Sequence, residues 1–388
     1  MSNLKKSKVP DPYQDAYEEF EILKINRDYY LKMTLERIIS ENPYIEKYQL
    51  IKDVKDYYCE SLEKIPSFTK YPESKDWVDY VLKRDKFLIE MANLTLDEIA
   101  IYRSLNEYLQ FRGYKKFGLK RLKLSEKCRV AFIPETDMGP MHIKNVDDPI
   151  DYWKPFPKLP EKISLYNAWW YNLPFIIDSV GSGLHIDDEP SEIFPLPIFK
   201  MVYRYASDIE SCVDFLKKYS IFWGNRNIII FDLKLNFCVI EKCSRNFIEI
   251  YYLDKQSYFG YISGMVCRNK NSPQAIYQKE KRLEYLKLFN FSDNSPDILF
   301  WELCEILEEK LKNGLISLGT KPSSNQVINL FISPYPDGLR KYNLEFNDWT
   351  LYTHCTFFEK KIYMRWQLKK LNGKKFEWTE RPETCKYE

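Results

Sequence analysis

The chain has 388 residues, 45% of them hydrophobic and 16% aromatic, so it can bury a sizeable core and is too apolar for a disordered protein. Its 58 Lys and Arg residues nearly balance 56 Asp and Glu residues, which predicts no nucleic-acid partner and no anionic membrane surface as partner. No apolar run approaches the roughly 18 residues of a transmembrane helix, and the Lys-rich start lacks the apolar run of a signal peptide. We therefore expect a cytoplasmic protein.

The first part of the chain predicts helices. Apolar positions recur at spacings of three and four residues in four segments, 17–39, 47–62, 77–92 and 96–111. Thr95 and Glu98 have the spacing of a capping box before the fourth segment, and Gly113 follows its end. A basic connector is expected at 113–127. We therefore predict an all-helical segment over residues 1–120.

Beyond residue 127 the pattern changes to short runs rich in β-branched and aromatic residues, bounded by Pro, Gly, Asp or Asn, which is typical of strands. Two helices are expected to interrupt these strands, the second capped by Ser207 and Glu210. A second helical pair is expected later, ending at Gly314. The predicted strands are 128–133, 141–146, 163–170, 175–180, 183–186, 227–232, 236–241, 247–253, 326–332, 350–358 and 361–366; the predicted helices are 193–206, 208–219, 274–290 and 296–313.

This order of elements predicts a layered α+β domain over residues 121–388 with a largely antiparallel sheet. The nine cysteines are odd in number and form no CxxC pair, so neither a disulfide framework nor structural zinc is expected. The three histidines, His142, His185 and His354, do not cluster with carboxylates at ligand spacing. We expect no metal and no cofactor, since no nucleotide-binding glycine motif and no GxSxG are present either.

Cys128 stands out because it opens a strand, in a chain that has only three histidines to serve as its base. A cysteine at such a position is commonly a plain core residue. A cysteine nucleophile needs a base, and a chain that is cut just before the cysteine supplies one, since the new α-amino group has a pKa near 8. Thiol and base then belong to one residue. The residues that follow bear on this second interpretation.

Several short motifs occur in an order that resembles one known family. The block begins with Cys128-Arg-Val-Ala-Phe and continues with Asp137-Met-Gly-Pro and Asn145-Val-Asp147. Further matching elements are Gly183-Leu184, Ala206–Glu210, Asn225–Asp232 with Glu241, Arg268-Asn269-Lys270, Lys281-Arg282-Leu283 and Trp349–Tyr352. Together they resemble the acyl-coenzyme A:6-aminopenicillanic acid acyltransferase-like family of N-terminal nucleophile (Ntn) cysteine hydrolases.

The resemblance implies an Ntn-type αββα sandwich preceded by the helical segment. It implies an autoprocessing acyltransferase or amidohydrolase that forms or cleaves an amide, or uses a thioester donor, through an acyl-Cys128 intermediate. By resemblance Asn227 stabilises the oxyanion, Asn145 and Asp147 hold the new amine, and Arg282 holds the catalytic cluster. The expected partners are a small-molecule or carrier-bound acyl substrate and the cleaved N-terminal fragment.

Two alternatives remain open from the residues alone. The family has small residues around the cut, whereas this chain has Lys127 before Cys128 and Arg129 after it. An uncleaved chain would leave Cys128 without its amine, with His142 as a substitute base. The other alternative is a non-catalytic binding or interaction protein of the same fold. A biosynthetic amide-forming enzyme that works on a carrier protein would share the nucleophile of the first hypothesis.

Overall fold

We describe the chain from a computed structural model. The description covers residues 11–64, 73–117, 128–149, 162–163, 175–181, 202, 205–219, 226–232, 234, 236–244, 247–253, 258–264, 268–273, 275–276, 279–280, 296–343, 348–370 and 376–387. Within these ranges the protein combines helices with two β-sheets, so it is a mixed α+β protein.

Helices dominate the first part of the chain, as the sequence predicts. The described helices there are α1 (Pro12–Asp28), α2 (Thr34–Glu41), α3 (Lys47–Lys64), α4 (Glu73–Ala92), α5 (Leu96–Tyr108) and α6 (Tyr114–Phe117), with π-helical turns at Tyr29–Met33 and Leu109–Gly113. The Thr95 capping box is confirmed, because the Thr95 N–H donates to Glu98 Oε2 at 2.8 Å and the Glu98 N–H donates to Thr95 Oγ1 at 3.2 Å. Three later helices are α7 (Ile209–Lys218), α8 (Pro296–Leu318) and α9 (Ser324–Ile332).

Thirteen described strands form the two sheets. They are β1 (Arg129–Ile133), β2 (Met141–Pro149), β3 (Lys162–Ile163), β4 (Ile176–Gly181), β5 (Arg226–Phe231), β6 (Phe237–Ser244), β7 (Phe247–Leu253), β8 (Gly260–Ser263), β9 (Tyr342–Asn343), β10 (Asp348–Phe357), β11 (Ile362–Lys370), β12 (Phe376–Trp378) and β13 (Glu383–Tyr387). The larger sheet has the order β3-β13-β11-β10-β2-β1-β8, with β9 on β10 and β12 on β11, and the smaller sheet has the order β4-β5-β6-β7. Except for β13 with β3, the pairs are antiparallel, as predicted.

The two sheets pack face to face. Between them lies a core to which β1 contributes Val130 and Phe132, and to which the smaller sheet contributes Ile229 and Phe231. The rings of Phe132 and Phe231 stack with centroids 3.8 Å apart, so the two sheets are in direct contact. Gly260 in β8 permits this approach, because a Cβ atom there would lie 2.8 Å from a ring carbon of Phe237.

Helices cover the outer face of each sheet. Strands β5 and β6 turn Ile228, Ile230 and other residues outward into a core shared with α2, α3, α5 and α7. Strands β1 and β2 turn Ala131 and Ile143 outward against α8 and α9. The order of layers is therefore helix, sheet, sheet, helix. The helical segment buries its apolar stripe on the smaller sheet, and the predicted boundary at residue 120 lies outside the described residues.

Three local predictions are wrong. Residues 326–332 form part of helix α9 and not a strand, because Ser323 and Gln326 form a capping box and the buried positions recur at helical spacing. Helix α7 is capped by Asp208 with Ser211, not by Ser207 with Glu210. Gly314 lies inside α8, where a Cβ atom would lie 2.8 Å from Leu330 Cδ1, so it serves the packing of α8 on α9 and ends no helix.

Several predicted elements lie outside the described residues. They include the strand 183–186, the glycine-leucine pair at 183–184, His185, nearly all of 163–170 and 193–206, and much of 274–290. Among the helices that the structure does describe, none combines the length and the apolar character needed to cross a membrane.

Candidate active site around Cys128

Cys128 lies immediately before β1, and its side chain is 4% exposed. Side chains alternate along a strand, so Cys128, Val130 and Phe132 share one face of β1. That face points into the layer between the sheets, where all three residues belong to one apolar cluster. The Cys128 carbonyl accepts a hydrogen bond from the Gly264 N–H at 2.9 Å, which fixes the backbone of the cysteine to the end of β8.

Asn227 enters the same layer from the smaller sheet. It shares a face of β5 with Ile229 and Phe231, which pack between the sheets, and it is 3% exposed. Its Nδ2 donates a hydrogen bond of 2.7 Å to the carbonyl of Ser263, the residue before Gly264. Cys128 and Asn227 are thus tied to two adjacent residues at the end of β8. The structure brings these two predicted site residues together.

Glu241 is a buried carboxylate beside Asn227. It lies directly opposite Asn227 in the pairing of β5 with β6, and it is 2% exposed. The backbone N–H of Arg268 lies 3.1 Å and 3.0 Å from its two oxygens, and Arg268 Nε lies 3.8 Å from Oε1. Burial raises the pKa of Glu241 to about 7, although the Arg268 N–H and guanidinium act in the opposite direction.

Asn145 and Asp147 bond to other partners, and the expectation that they hold the amine of Cys128 stays a prediction. Asn145 pairs with Arg129, so it shares the opposite face of the sheet with that residue. Asn145 donates to the Phe331 carbonyl of α9 at 3.1 Å and accepts from Thr353 Oγ1 at 2.7 Å. These bonds hold α9 against the sheet, and neither residue is placed to touch the thiol of Cys128.

Asp147 neutralises a fully buried cation. Its Oδ2 lies 2.6 Å from the Arg129 guanidinium, and its Oδ1 accepts from Thr350 Oγ1 at 2.7 Å. Lys341 Nζ lies 3.6 Å from the same Oδ2. Arg129 also donates to the Leu339 carbonyl at 3.0 Å, so the residue after the cysteine is anchored in the helix-facing layer. Asp147 therefore holds the side chain of the residue that follows Cys128.

Two other predicted participants lie outside the described residues. Arg282 is one of them, so its role stays a prediction. The other is Lys127, whose peptide bond to Cys128 is the bond that autoprocessing would break.

His142 is not placed to be the substitute base. It pairs with Phe132 across β1 and β2, and Cys128 lies four residues before Phe132, roughly 13 Å along the strand. The His142 Nε2 lies 2.8 Å from Asp178 Oδ2 of the smaller sheet. Lys144 donates to Asp178 Oδ1 at 2.8 Å, so this carboxylate joins β4 to β2 across the layer.

We call His142, Lys144, Asp178 and His354 the inter-sheet cluster. Burial alone would raise the pKa of Asp178, but Lys144 and the hydrogen bond to His142 hold it well below its usual range. Burial, then the nearby His142 and Lys144, lower the pKa of His354 well below its usual value. The rings of His142 and His354 lie 5.7 Å apart.

Sequence reasoning noted Glu241 only as part of a motif and missed Asp178. Both are carboxylates inside otherwise apolar strands, in Phe-Cys-Val-Ile-Glu and Phe-Ile-Ile-Asp. A charged residue that interrupts a buried strand needs a partner, which is the signal that could have identified both. No group of three or more His, Cys, Asp or Glu side chains within the described ranges is arranged to hold a metal ion.

A cavity of about 850 Å³ adjoins Arg268. Its wall includes Tyr261, Asn269, Glu308 and Lys312, so it is lined by apolar rings and by charges of both signs. Arg268 packs its guanidinium over the Tyr261 ring at 4.5 Å, and Tyr261 donates to Glu308 at 3.0 Å.

The chain matches no protein-family model, and no curated protein matches it either.

Proposed function

We propose that the chain is an autoprocessing Ntn-type cysteine acyltransferase or amidohydrolase with Cys128 as its nucleophile. The observation that carries the proposal is the placement of Cys128 and Asn227 in one layer, on adjacent residues of β8. The order of layers supports it, because the resemblance of the sequence implies two stacked sheets covered by helices, with the nucleophile at the start of a strand in the layer between them.

The proposed processing begins when the Cys128 thiol attacks the carbonyl of residue 127. The peptide C–N bond breaks, the Cys128 nitrogen leaves as an amine, and a thioester links residue 127 to sulfur. Water then hydrolyses the thioester, which releases the N-terminal fragment as a carboxylate and restores the thiol. The freed α-amino group, whose pKa is ordinarily near 8, accepts the thiol proton in each later turnover. Because His142 is bonded to Asp178 instead, the amine is the better candidate for the base.

In turnover the thiolate attacks the carbonyl of an amide or thioester and forms acyl-Cys128. An asparagine amide carries two N–H donors, and the bond from Asn227 to Ser263 fixes the orientation of the group. A preorganised donor of this kind stabilises the oxyanion of a tetrahedral intermediate. The acyl group then passes to an amine or to water. The substrate is an acyl group on a small molecule or a carrier, and a cytoplasmic location fits this chemistry.

The N-terminal fragment would stay bound after the cut. Helices α2, α3 and α5 share one buried core with strands β4, β5 and β6, which belong to the fragment that begins at Cys128. Separating them would expose that whole apolar surface, at about 25 cal/mol for each Å². The proposed mature protein is therefore a two-chain complex, with the first chain as its permanent partner.

A second candidate is an uncleaved, non-catalytic binding protein. The observation that favours it is the use of Arg129 as a buried structural residue, 1% exposed and paired with Asp147, directly beside a cysteine that is itself 4% exposed. An anchored, bulky junction resists the strained geometry that peptide-bond cleavage requires. In this alternative Cys128 is a core residue.

The deciding experiment is an intact-mass measurement of the purified protein, beside Cys128→Ala and Cys355→Ala. Cys355 is a matched control, because it is also buried on a strand of the larger sheet. We expect fragments of about one third and two thirds of 46.8 kDa in the wild type and in Cys355→Ala, and a single chain in Cys128→Ala. Both fragments should co-elute in gel filtration. One uncut species in all three samples would reject the self-cleaving mechanism and favour the binding protein.

A further inference from the structure

Glu241 occupies a position that no plain core requirement explains. It continues the face of β6 that carries Phe237 and Val239 into the layer between the sheets, yet it is a carboxylate. The charged groups around it are the Arg268 guanidinium and the carboxylates of Glu249 and Glu308. Glu249 stands directly opposite it on β7, so two like charges face each other across that strand pair.

The contact that Glu241 makes is with a backbone. Both of its oxygens lie within 3.1 Å of the Arg268 N–H, which belongs to the segment after β8. The side chain of Arg268 turns back onto the same strand, where it donates to the Tyr261 carbonyl. Glu241 therefore holds Arg268, which follows Ser263 and Gly264 in the chain by five and four residues. These two residues are the ones that bind Asn227 and the Cys128 carbonyl.

We propose that Glu241 is a positioning residue of the Cys128 centre, which holds the Arg268 segment so that the end of β8 stays bonded to Asn227 and to Cys128. The inference rests on the proposed function for its catalytic consequence, while its structural part stands apart from catalysis. Arg268 also lines the cavity of about 850 Å³, so the same contact fixes one wall of that cavity.

The test measures amide hydrogen exchange at Arg268 and Gly264 in wild type, Glu241→Ala, Glu241→Gln and Glu249→Ala. We expect Glu241→Ala to speed the exchange of both amides at least tenfold. Glu241→Gln retains one oxygen acceptor and should give partial rescue. Glu249→Ala removes a neighbouring carboxylate whose oxygen bonds to Tyr251, so it serves as the matched control and should leave both amides protected.

A pH series supplies a second measurement. The wild type should change its protection of the Arg268 amide around pH 7, after correction for intrinsic exchange, because Glu241 titrates there. Glu241→Gln carries no titrating group at this position and should lack the step. Glu249→Ala should keep the step but move it to lower pH, because the Glu249 charge raises the pKa of Glu241. This comparison needs only the Gln variant, so it remains decisive if Glu241→Ala does not fold.

The proposal is overturned if Gly264 exchanges in Glu241→Ala at the rate seen in Glu249→Ala. It is also overturned if Arg268 loosens while Gly264 stays protected, because the contact then does not reach Cys128. The cleavage rate before Cys128 is followed in the same samples, and Glu241→Ala should slow it at least tenfold. A wild type that is never cleaved defeats the proposed function alone, since the exchange results still decide the role of Glu241.

Discussion

Replacing Asp178 with alanine should destabilise the protein, because Asp178 is the carboxylate that joins the two sheets. The change removes the partner of His142 at 2.8 Å and of Lys144 at 2.8 Å. Removing one member of a buried ion pair costs about 3–5 kcal/mol, since the other charge stays buried. Lys144 keeps its bond to the Ser179 carbonyl at 3.0 Å and is 16% exposed, so we expect the lower end, about 3 kcal/mol.

Thermal unfolding at pH 7 measures this effect, with an expected fall in Tm of about 4 °C for a chain of this length. Asp79→Ala is the matched control, because Asp79 pairs with Lys83 on the surface, with side chains 62% and 50% exposed. Such pairs contribute about 0.5 kcal/mol or less. The pKa of Asp178 is lowered in the folded state, so its stabilisation is present above pH 4 and is lost as the pH falls further. Equal Tm values for the two variants at pH 7 would refute the reasoning.

Two further stability predictions follow from the layer between the sheets. The pKa of His354 is lowered in the folded state, so the protein loses stability as the pH falls below 6.5 and the unfolded chain takes up a proton at this residue. His354→Gln should therefore reduce the fall in the free energy of unfolding between pH 6.5 and 5, measured by chemical denaturation. An unchanged fall would assign it to other groups. Gly260→Ala should lower the free energy of unfolding by about 1–3 kcal/mol, because the added Cβ would press on the ring of Phe237. A denaturant midpoint equal to that of the wild type would contradict this packing.

Much of the fold follows from short-range patterns. The helices of the first part are long and repeat their apolar positions at helical spacing, and the antiparallel strands carry the expected β-branched runs. The strand predicted at 326–332 is wrong because a short, mostly apolar segment such as this one fits a buried strand and a buried helix equally well. The capping pair of Ser323 with Gln326, which spans the start of this segment, is the local signal that distinguishes a helix from a strand.

The candidate site depends on information that a single sequence lacks. The spacing of Cys128, Asn145 and Asp147 suggests proximity, and the strands that carry them do pair. A shift of one residue in register exchanges the two faces of a strand, and only the packed structure fixes that register. Here Arg129 pairs with Asn145, so Asn145 lies on the face away from Cys128. Asn227 faces the cysteine because β5 belongs to the opposite sheet, a relation that no local pattern encodes.

The polar groups between the sheets form two separate sets, and the separation decides what each can do. Cys128, Asn227 and Glu241 form one set. The inter-sheet cluster lies further along the same strands, where Lys144 pairs with Val130 and Asp178 pairs with Ile229, positions two residues from Cys128 and from Asn227. The stacked rings of Phe132 and Phe231 lie beside His142, four residues along each strand from Cys128 and Asn227. The apolar side chains of Val130 and Ile229 lie between the two sets. We therefore expect each set to act mainly through its own contacts.

The two sets should therefore respond independently to substitution. We expect Asp178→Ala to lower the stability of the sandwich while leaving the bonds of Gly264 and Asn227 intact. Glu241→Gln loosens those bonds while the link between Asp178 and Lys144 persists. Substitutions without shared partners add in their effect on stability, to within about 0.5 kcal/mol. A double variant that departs from additivity by much more than this would place Cys128 and the inter-sheet cluster in one coupled network, and the expected independence of the two sets would then be wrong.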